Sequence, residues 1–236
     1  VAATALAGVY TIGGMSPDYA DFTSAAAALV ANGVSGAVTF NVAAGMYSES
    51  FTLPAIAGAS ATNTITFDGG SATTTTISYA ASASQNATIL LDGADYVTIT
   101  NIKVENLTTA PAWGIRIANS ANFNTIDNCA IALTTNMTAF AEIMGIAGTS
   151  SSTQSFVSGD NGNNITITNN TFTGAYHGVR WEGVNPSTAQ TAFSYITQIK
   201  NYPDDVDTIY KAIFFARDLF SNPIRMNANH FNIETV

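Results

Sequence analysis

"VTITNIKVENL" (97–107) returns along the chain as "NTIDNCAIAL" (124–133), "NITITNNTFTG" (164–174) and "PIRMNANHFNI" (223–233). Aligned on one internal apolar residue, the repeats superpose Ile99, Ile126, Ile167, Ile196 and Met226. Two positions later stand Asn101, Asn128, Asn169, Gln198 and Ala228; five positions later stand Val104, Ile131, Phe172, Asn201 and Phe231. Inward apolar residues on both sides of a polar turn let one coil of chain stack on the next. Asparagine suits such a turn because it tolerates left-handed backbone angles and its amide bonds backbone groups above and below. The alignment predicts a structural ladder of Asn101, Asn128 and Asn169, broken toward the C-terminus.

Working outward, short β-rich runs surround the phrase: "AVTFNV" (37–42), "TITF" (64–67), "ATILLDG" (87–93), "GIRIAN" (114–119), "HGVRWEG" (177–183) and "KAIFFARD" (211–218). Their central residues, Thr39, Thr66, Leu90, Arg116, Arg180 and Phe214, lie 27, 24, 26, 64 and 34 apart, and "EIMGIAG" (142–148) supplies a strand inside the long gap. A period of this length signals a repeat architecture, and short strands with polar turns make it a β-solenoid. One helical segment stands out, "DYADFTSAAAALVANG" (18–33), preceded by Ser16 and Pro17 and stopped at Asn32-Gly33. The expected fold is all-β, a right-handed parallel β-helix of about seven to eight coils. It forms a single domain, with an N-terminal strand and capping helix in 1–35 and the coils in 36–236. At ~4.8 Å per strand the stack rises about 35 Å.

Composition narrows the function. The 236 residues are 47% hydrophobic and only 10% charged, so the polar surface comes from Ser, Thr, Asn and Gly. Seven basic residues against sixteen acidic ones give a net charge of -9, with no basic run to neutralise a phosphate backbone; no nucleic-acid partner is expected. The single cysteine, Cys129, excludes an internal disulfide framework and a Cys-based zinc site, and its neighbours mark it as a small buried filler. No stretch approaches the ~20 apolar residues of a membrane span. The chain opens at Val1 without a basic, apolar leader, so an exported form is expected to have lost its signal. Five Asn-x-Ser/Thr sequons begin at Asn86, Asn106, Asn136, Asn164 and Asn169; in a chain this rich in Asn and Thr they do not imply glycosylation.

The stretch "DFTSAAAALVANGVSGAVTFNVAAGMYSESFTLP" (21–54) resembles the opening of pectin-lyase-like right-handed β-helix proteins, with an Ala-rich capping helix, a valine strand and a Gly-x-Tyr-x-Glu turn at Gly45, Tyr47 and Glu49. Taken with "LLDGADYVTITNI" (90–102), the chain looks most similar to secreted β-helix domains of surface and adhesin-like proteins from Bacteroidetes. The resemblance implies the fold, and a secreted or bacterial cell-surface location. In β-helix polysaccharide lyases it would imply outward carboxylates binding calcium beside an Arg or Lys base, and in pectin methylesterases paired aspartates with a Gly-Arg-Pro-Trp segment. Neither motif is readable here. "DTI" (207–209) resembles the Asp-Thr-apolar site at which Bacteroidetes attach O-glycans.

Candidate chemistry is sparse. Asp92 and Asp95 sit in a Gly turn and read as a polar corner; "DDVD" (204–207) lacks the ligand spacing of a calcium loop and reads as a solvated loop. Alternation turns Arg116 and Arg180 outward between apolar neighbours. With Trp113, His177, Trp181 and Glu182 they form a candidate patch for an anionic polysaccharide, held by bidentate contacts and stacking. The alternative is arginines lying along the coil surface, paired with Glu142 or Glu182. Two histidines, His177 and His230, build neither triad nor metal cluster.

No catalytic residue, metal site or cofactor is assigned. The expected function is a non-catalytic structural and adhesive module, with a polysaccharide lyase or glycoside hydrolase as the competing class. "FSNPIRMNANHFNIETV" (220–236) still reads as strand and turn, so the stack is expected to continue in a longer chain or to self-associate through that edge.

Overall fold

The computed structural model describes residues 4–82, 84–108, 111–134, 143–154, 157, 159–175 and 177–181, together with the backbone of strands at 196–201 and 215–216. The chain begins with β1 (Leu6–Ile12) and α1 (Phe22–Asn32). It then winds through coils of three strands. The first coil is β2 (Val34–Val42), β3 (Gly45–Tyr47) and β4 (Phe51–Pro54). The second is β5 (Ile65–Asp68), β6 (Thr75–Ser78) and β7 (Ala87–Asp92), and the third is β8 (Val97–Thr100), β9 (Lys103–Asn106) and β10 (Ala112–Ala118). The fourth is β11 (Thr125–Asp127), β12 (Ala130–Leu133) and β13 (Ile143–Gly148). In the fifth, β14 (Ile165–Thr173) runs through two faces and is followed by β15 (His177–Trp181). β16 (Ile196–Asn201) and β17 (Phe215–Ala216) belong to a sixth.

Every named strand pairs in parallel with its counterpart one coil away, building three faces. Sheet A holds β1, β2, β5, β8, β11, the first half of β14, and β16; sheet B holds β3, β6, β9, β12 and the second half of β14. Sheet C holds β4, β7, β10, β13, β15 and β17. Successive parallel strands joined by crossovers take the right-handed sense. The fold is thus the expected all-β parallel solenoid with one short helix.

The core is made of columns. Phe40, Phe67, Ile99, Ile126 and Ile167 align on sheet A; Ile89, Ile115, Ile146 and Val179 align on sheet C; Ile77, Val104, Ile131 and Phe172 align on sheet B. All are buried, and each contributes about 1.5–3 kcal/mol of hydrophobic burial. The recurring phrase is in register for Ile99, Ile126 and Ile167, but the next coil departs from it: Ile199, not Ile196, faces Ile167. The strand expected in 142–148 is present as β13.

Five complete coils and strands of a sixth lie within the described residues, where seven to eight were expected of the whole chain. Part of the difference is geometric. Thr66 is on sheet A and Leu90 on sheet C of the same coil, so the spacing read as one turn covers only part of one.

The helix starts at Phe22, inside the segment expected from 18, because Asp21 is its N-cap, accepting from Ser24 N (2.7 Å) while Ser24 Oγ accepts from Asp21 N. Gly33, at φ 66°, ends it through a bond to Leu29 O. Phe22, Ala25, Ala26 and Leu29 are buried on the first coil, with Phe22 stacked on Phe51 at 5.4 Å. Glu49 fastens the two together, its carboxylate accepting from Phe22 N (3.0 Å) and Thr23 N (2.9 Å) at the positive end of the helix. Tyr47 donates to Ala43 O (2.8 Å) and packs edge-on against Phe22.

β1 is the edge strand of sheet A, and its open side is occupied from within the chain. Asp18 accepts from Thr11 N and Thr11 Oγ1 (both 2.8 Å), Tyr19 N donates to Thr11 O (3.0 Å), and Tyr10 Oη bonds the Ala7 backbone.

Candidate functional site

The outer side of sheet C was expected to carry the ligand patch. Register places Leu90, Arg116, Ala147 and Arg180 in one column, and Ala87, Trp113, Met144 and His177 in the next. The arginines therefore share a column, as alternation requires. The face itself is covered. Ala87, Trp113, Met144 and Ala147 form a second buried cluster on the outside of the solenoid. Arg116 is only 8% exposed. Its Nε donates to Thr149 O (3.2 Å), its guanidinium also reaches Ser150 O (3.0 Å), and it lies 5.8 Å from the Trp113 ring. Burial lowers its pKa against the opposing effect of Asp92. Asn86 holds the same loop through Ser152 O (2.7 Å).

These positions correct part of the expected patch. Trp113 points outward but is fully buried, and Arg116 clamps the loop that follows β13. Trp181 faces the core, packed over Gly148, because it falls two residues beyond Val179 on the inward alternation. His177 and Arg180 are half-buried side by side on β15, each with a partner. Glu182, Glu142, 204–209 and the chain end at 217–236 lie outside the described residues.

The asparagine columns are the other candidate surface. Asn101, Asn128 and Asn169 all adopt left-handed backbone angles (φ 58°, 50° and 55°). Asn128 Nδ2 donates to Asn101 Oδ1 (2.6 Å), and Asn101 Nδ2 to Asp68 Oδ1 (2.8 Å). Asn169 reaches Asp127 (2.8 Å), not Asn128, so the ladder begins at an aspartate and changes rail in the fifth coil. An unforeseen set lies inside. Asn124 bonds Val97 N and Ala94 O, Asn170 bonds Cys129 N and Ile126 O, and Asn106 bonds Asn86 O and Trp113 O. All three are fully buried. The doublet Asn169-Asn170 was the available signal, since its second member aligns with inward Ile102 and Cys129.

A third column precedes sheet A. Tyr96, Phe123 and Asn164 align by register, and the first two rings stack at 4.8 Å with 2° between their planes. The aligned repeats already carry this column, three residues before Ile99, Ile126 and Ile167.

Each described carboxylate answers a donor that holds the fold. Asp18 and Asp21 serve β1 and the helix cap, and Glu49 the helix start. Asp68 takes Asn101 and Gly70 N, Asp92 takes Asn119, and Asp95 takes Asn122 N (2.6 Å). Glu105 takes Lys103 (2.7 Å) and Ser78, Asp127 takes Thr168 and Asn169, and Asp160 takes Ser120 (2.6 Å). The described residues include no group of three or more His, Cys, Asp or Glu arranged to hold a metal ion. No described helix is long and apolar enough to cross a membrane.

No protein-family model and no curated protein matches the chain. Solved structures do. An alanine mutant of a pectin methylesterase, in complex with a hexasaccharide, matches with a TM-score of 0.50 at 15% identity, over 74% of this chain and 52% of that one. The fold is the pectin-lyase-like parallel β-helix. A pectin methylesterase complex with another hexasaccharide gives 0.49 at 15% identity and the same coverage. The deglycosylated pectin methylesterase of Aspergillus niger gives 0.43 at 18%, over 91% of this chain and 92% of that one. The β-helix described here spans about half the length of the first of these proteins.

Proposed function

We propose that this β-helix is a non-catalytic structural and adhesive module, secreted or displayed on a bacterial cell surface, that contacts glycans. The observation that carries the reading is the engagement of each described carboxylate in coil-to-coil or capping bonds. In glycoside hydrolysis the acid and its partner base or nucleophile are canonically a pair of carboxylates aimed at the scissile bond. The neighbour in complex with a hexasaccharide supports contact with sugars. The resemblance of 21–54 and 90–102 to Bacteroidetes surface domains supports the location and the adhesive role. Self-association through the last coil belongs to the same reading.

The competing enzyme reading rests on His177 and Arg180, which occupy neighbouring positions on the outside of β15. Incubating the chain with neutral and acidic polysaccharides separates the two. The module reading expects retention on at least one polysaccharide with no new reducing ends, unsaturated products or released methanol. Turnover abolished by Arg180→Ala or His177→Ala would replace it with the enzyme.

A further inference from the structure

Tyr96 and Phe123 have backbones at φ 57° and 58°, in the left-handed region that bulky residues avoid. The next member of their column, Asn164, has the same angle (φ 56°) with a residue that accepts it readily. Asparagine would therefore serve the turn at all three positions. Two coils instead carry aromatic rings, and those rings are not used to fill the core. Phe123 is 46% exposed, and Tyr96 is partly buried. Strain of this kind is held in place by the surrounding structure and clusters at ligand-binding sites.

The stack is open at its Phe123 end. Register sets the short Asn164 beside Phe123 on the following coil, so among the described residues no third ring continues the stack over the phenyl group. Asn164 differs from the other left-handed asparagines as well. Asn101, Asn119, Asn128 and Asn169 each donate to a side chain of a neighbouring coil, whereas Asn164 makes no side-chain hydrogen bond among the described residues. An open aromatic face beside an uncommitted amide matches a sugar ring, whose C–H face stacks and whose hydroxyls both donate and accept.

Charge selects among sugars. Asp95 and Asp160 flank the turn, bonded to Asn122 N and Ser120. The described cations lie elsewhere: Lys103 is paired with Glu105 on β9, Arg116 is buried on β10, and Arg180 is on β15. Among the described side chains a uronate would meet only like charge here.

We infer that Phe123, backed by Tyr96 and assisted by Asn164, is a stacking site for a neutral hexose unit of a polysaccharide. This site rests on the glycan-contacting reading above and is separate from the sheet C face.

The test is calorimetric titration of the 236-residue chain with neutral glucohexaose, mannohexaose and galactohexaose, and with hexagalacturonate as the anionic counterpart. Binding of at least one neutral hexamer is expected, with hexagalacturonate about tenfold weaker or undetectable. Phe123→Asn should weaken the neutral hexamer about tenfold or more. The same variant should melt no earlier than the parent, because asparagine relieves the backbone strain; a folded variant thus keeps the test valid. Asn164→Ala should weaken binding by a smaller factor, and Arg180→Ala should leave it unchanged. Undiminished binding by Phe123→Asn, or preference for hexagalacturonate, would overturn the site. If Arg180→Ala instead abolished that binding, glycan contact would stand and this location would fall. Absence of binding to every hexamer would remove the site and the glycan contact together.

Discussion

Asn169 and Asn170 are neighbours that face opposite ways. Asn169 is exposed and left-handed, while Asn170 is fully buried and satisfies Cys129 N and Ile126 O (both 2.9 Å). Truncating Asn170 strands two buried backbone groups, so Asn170→Ala should cost about 1–3 kcal/mol in urea unfolding. Asn128 lies in the exposed rail, where the amide competes with water. Asn128→Ala should cost only about 1 kcal/mol, mostly from its left-handed backbone, and Asn128→Gly should recover most of that. The exposed ladder was legible because asparagine recurs in register with Ile99 and Ile126. The buried set was not, because the same residue type serves a left-handed turn or an inward backbone clamp, and only packing decides between them.

Cys129 adds a pH dependence at the same scale. Burial pushes its thiol from 9.0 up to about 12. The folded state holds the proton more tightly than the unfolded chain, so this contribution is fully present below pH 9. It declines as pH rises between 9 and about 12. Unfolding of the parent and Cys129→Ala should therefore show a shallower alkaline loss of stability in the variant. Equal alkaline slopes would contradict the assignment.

At the scale of elements, Glu49 lies outside the helix it caps, 27 residues from Phe22. Glu49→Gln keeps the shape and removes the charge opposite the helix dipole. It should cost about 1 kcal/mol and speed amide exchange at Phe22 and Thr23. Sheet C has a comparable sensitive position. Gly114, Gly145 and Gly178 recur in "WGIR", "MGIA" and "HGVR", and a Cβ at Gly145 would run into Gly178 O and lie 2.5 Å from Phe172 Cδ1. Gly145→Ala should cost about 1–3 kcal/mol, read from the urea midpoint. The helix was plain from its alanines and Asn32-Gly33. Coil number was harder because strands on different faces share one composition: Thr66 and Leu90 look like successive rungs and belong to one coil.

At the scale of the molecule, each coil touches chiefly the coils beside it, so stability builds by neighbour contacts along one axis. The outer face of sheet C is an exception, since the loop after β13 of the fourth coil crosses β10 and reaches Asn86 beside the second. Arg116→Ala should loosen that loop and cost about 1.5–3 kcal/mol by removing charged bonds to Thr149 and Ser150 carbonyls, and lysine should not restore it. Protection of the Thr149–Ser150 amides from hydrogen exchange provides the check. Alternation alone gave the direction of Arg116 correctly. It could not show the cover, because nothing near Arg116 in sequence reveals that residues 149–154 fold back over it.

The hook of Asp18 on Thr11 makes the stack vectorial. A strand arriving at the β1 end of sheet A meets donors and acceptors already taken. Thr11's backbone amide, and then its hydroxyl, hold the Asp18 carboxyl below its ordinary range. The latch is therefore in force above that range and is released only as acidification passes the lowered value. A proton on one exposed side chain would then free the Thr11 N–H for an incoming carbonyl, while Tyr19 N still holds Thr11 O and keeps that edge half closed.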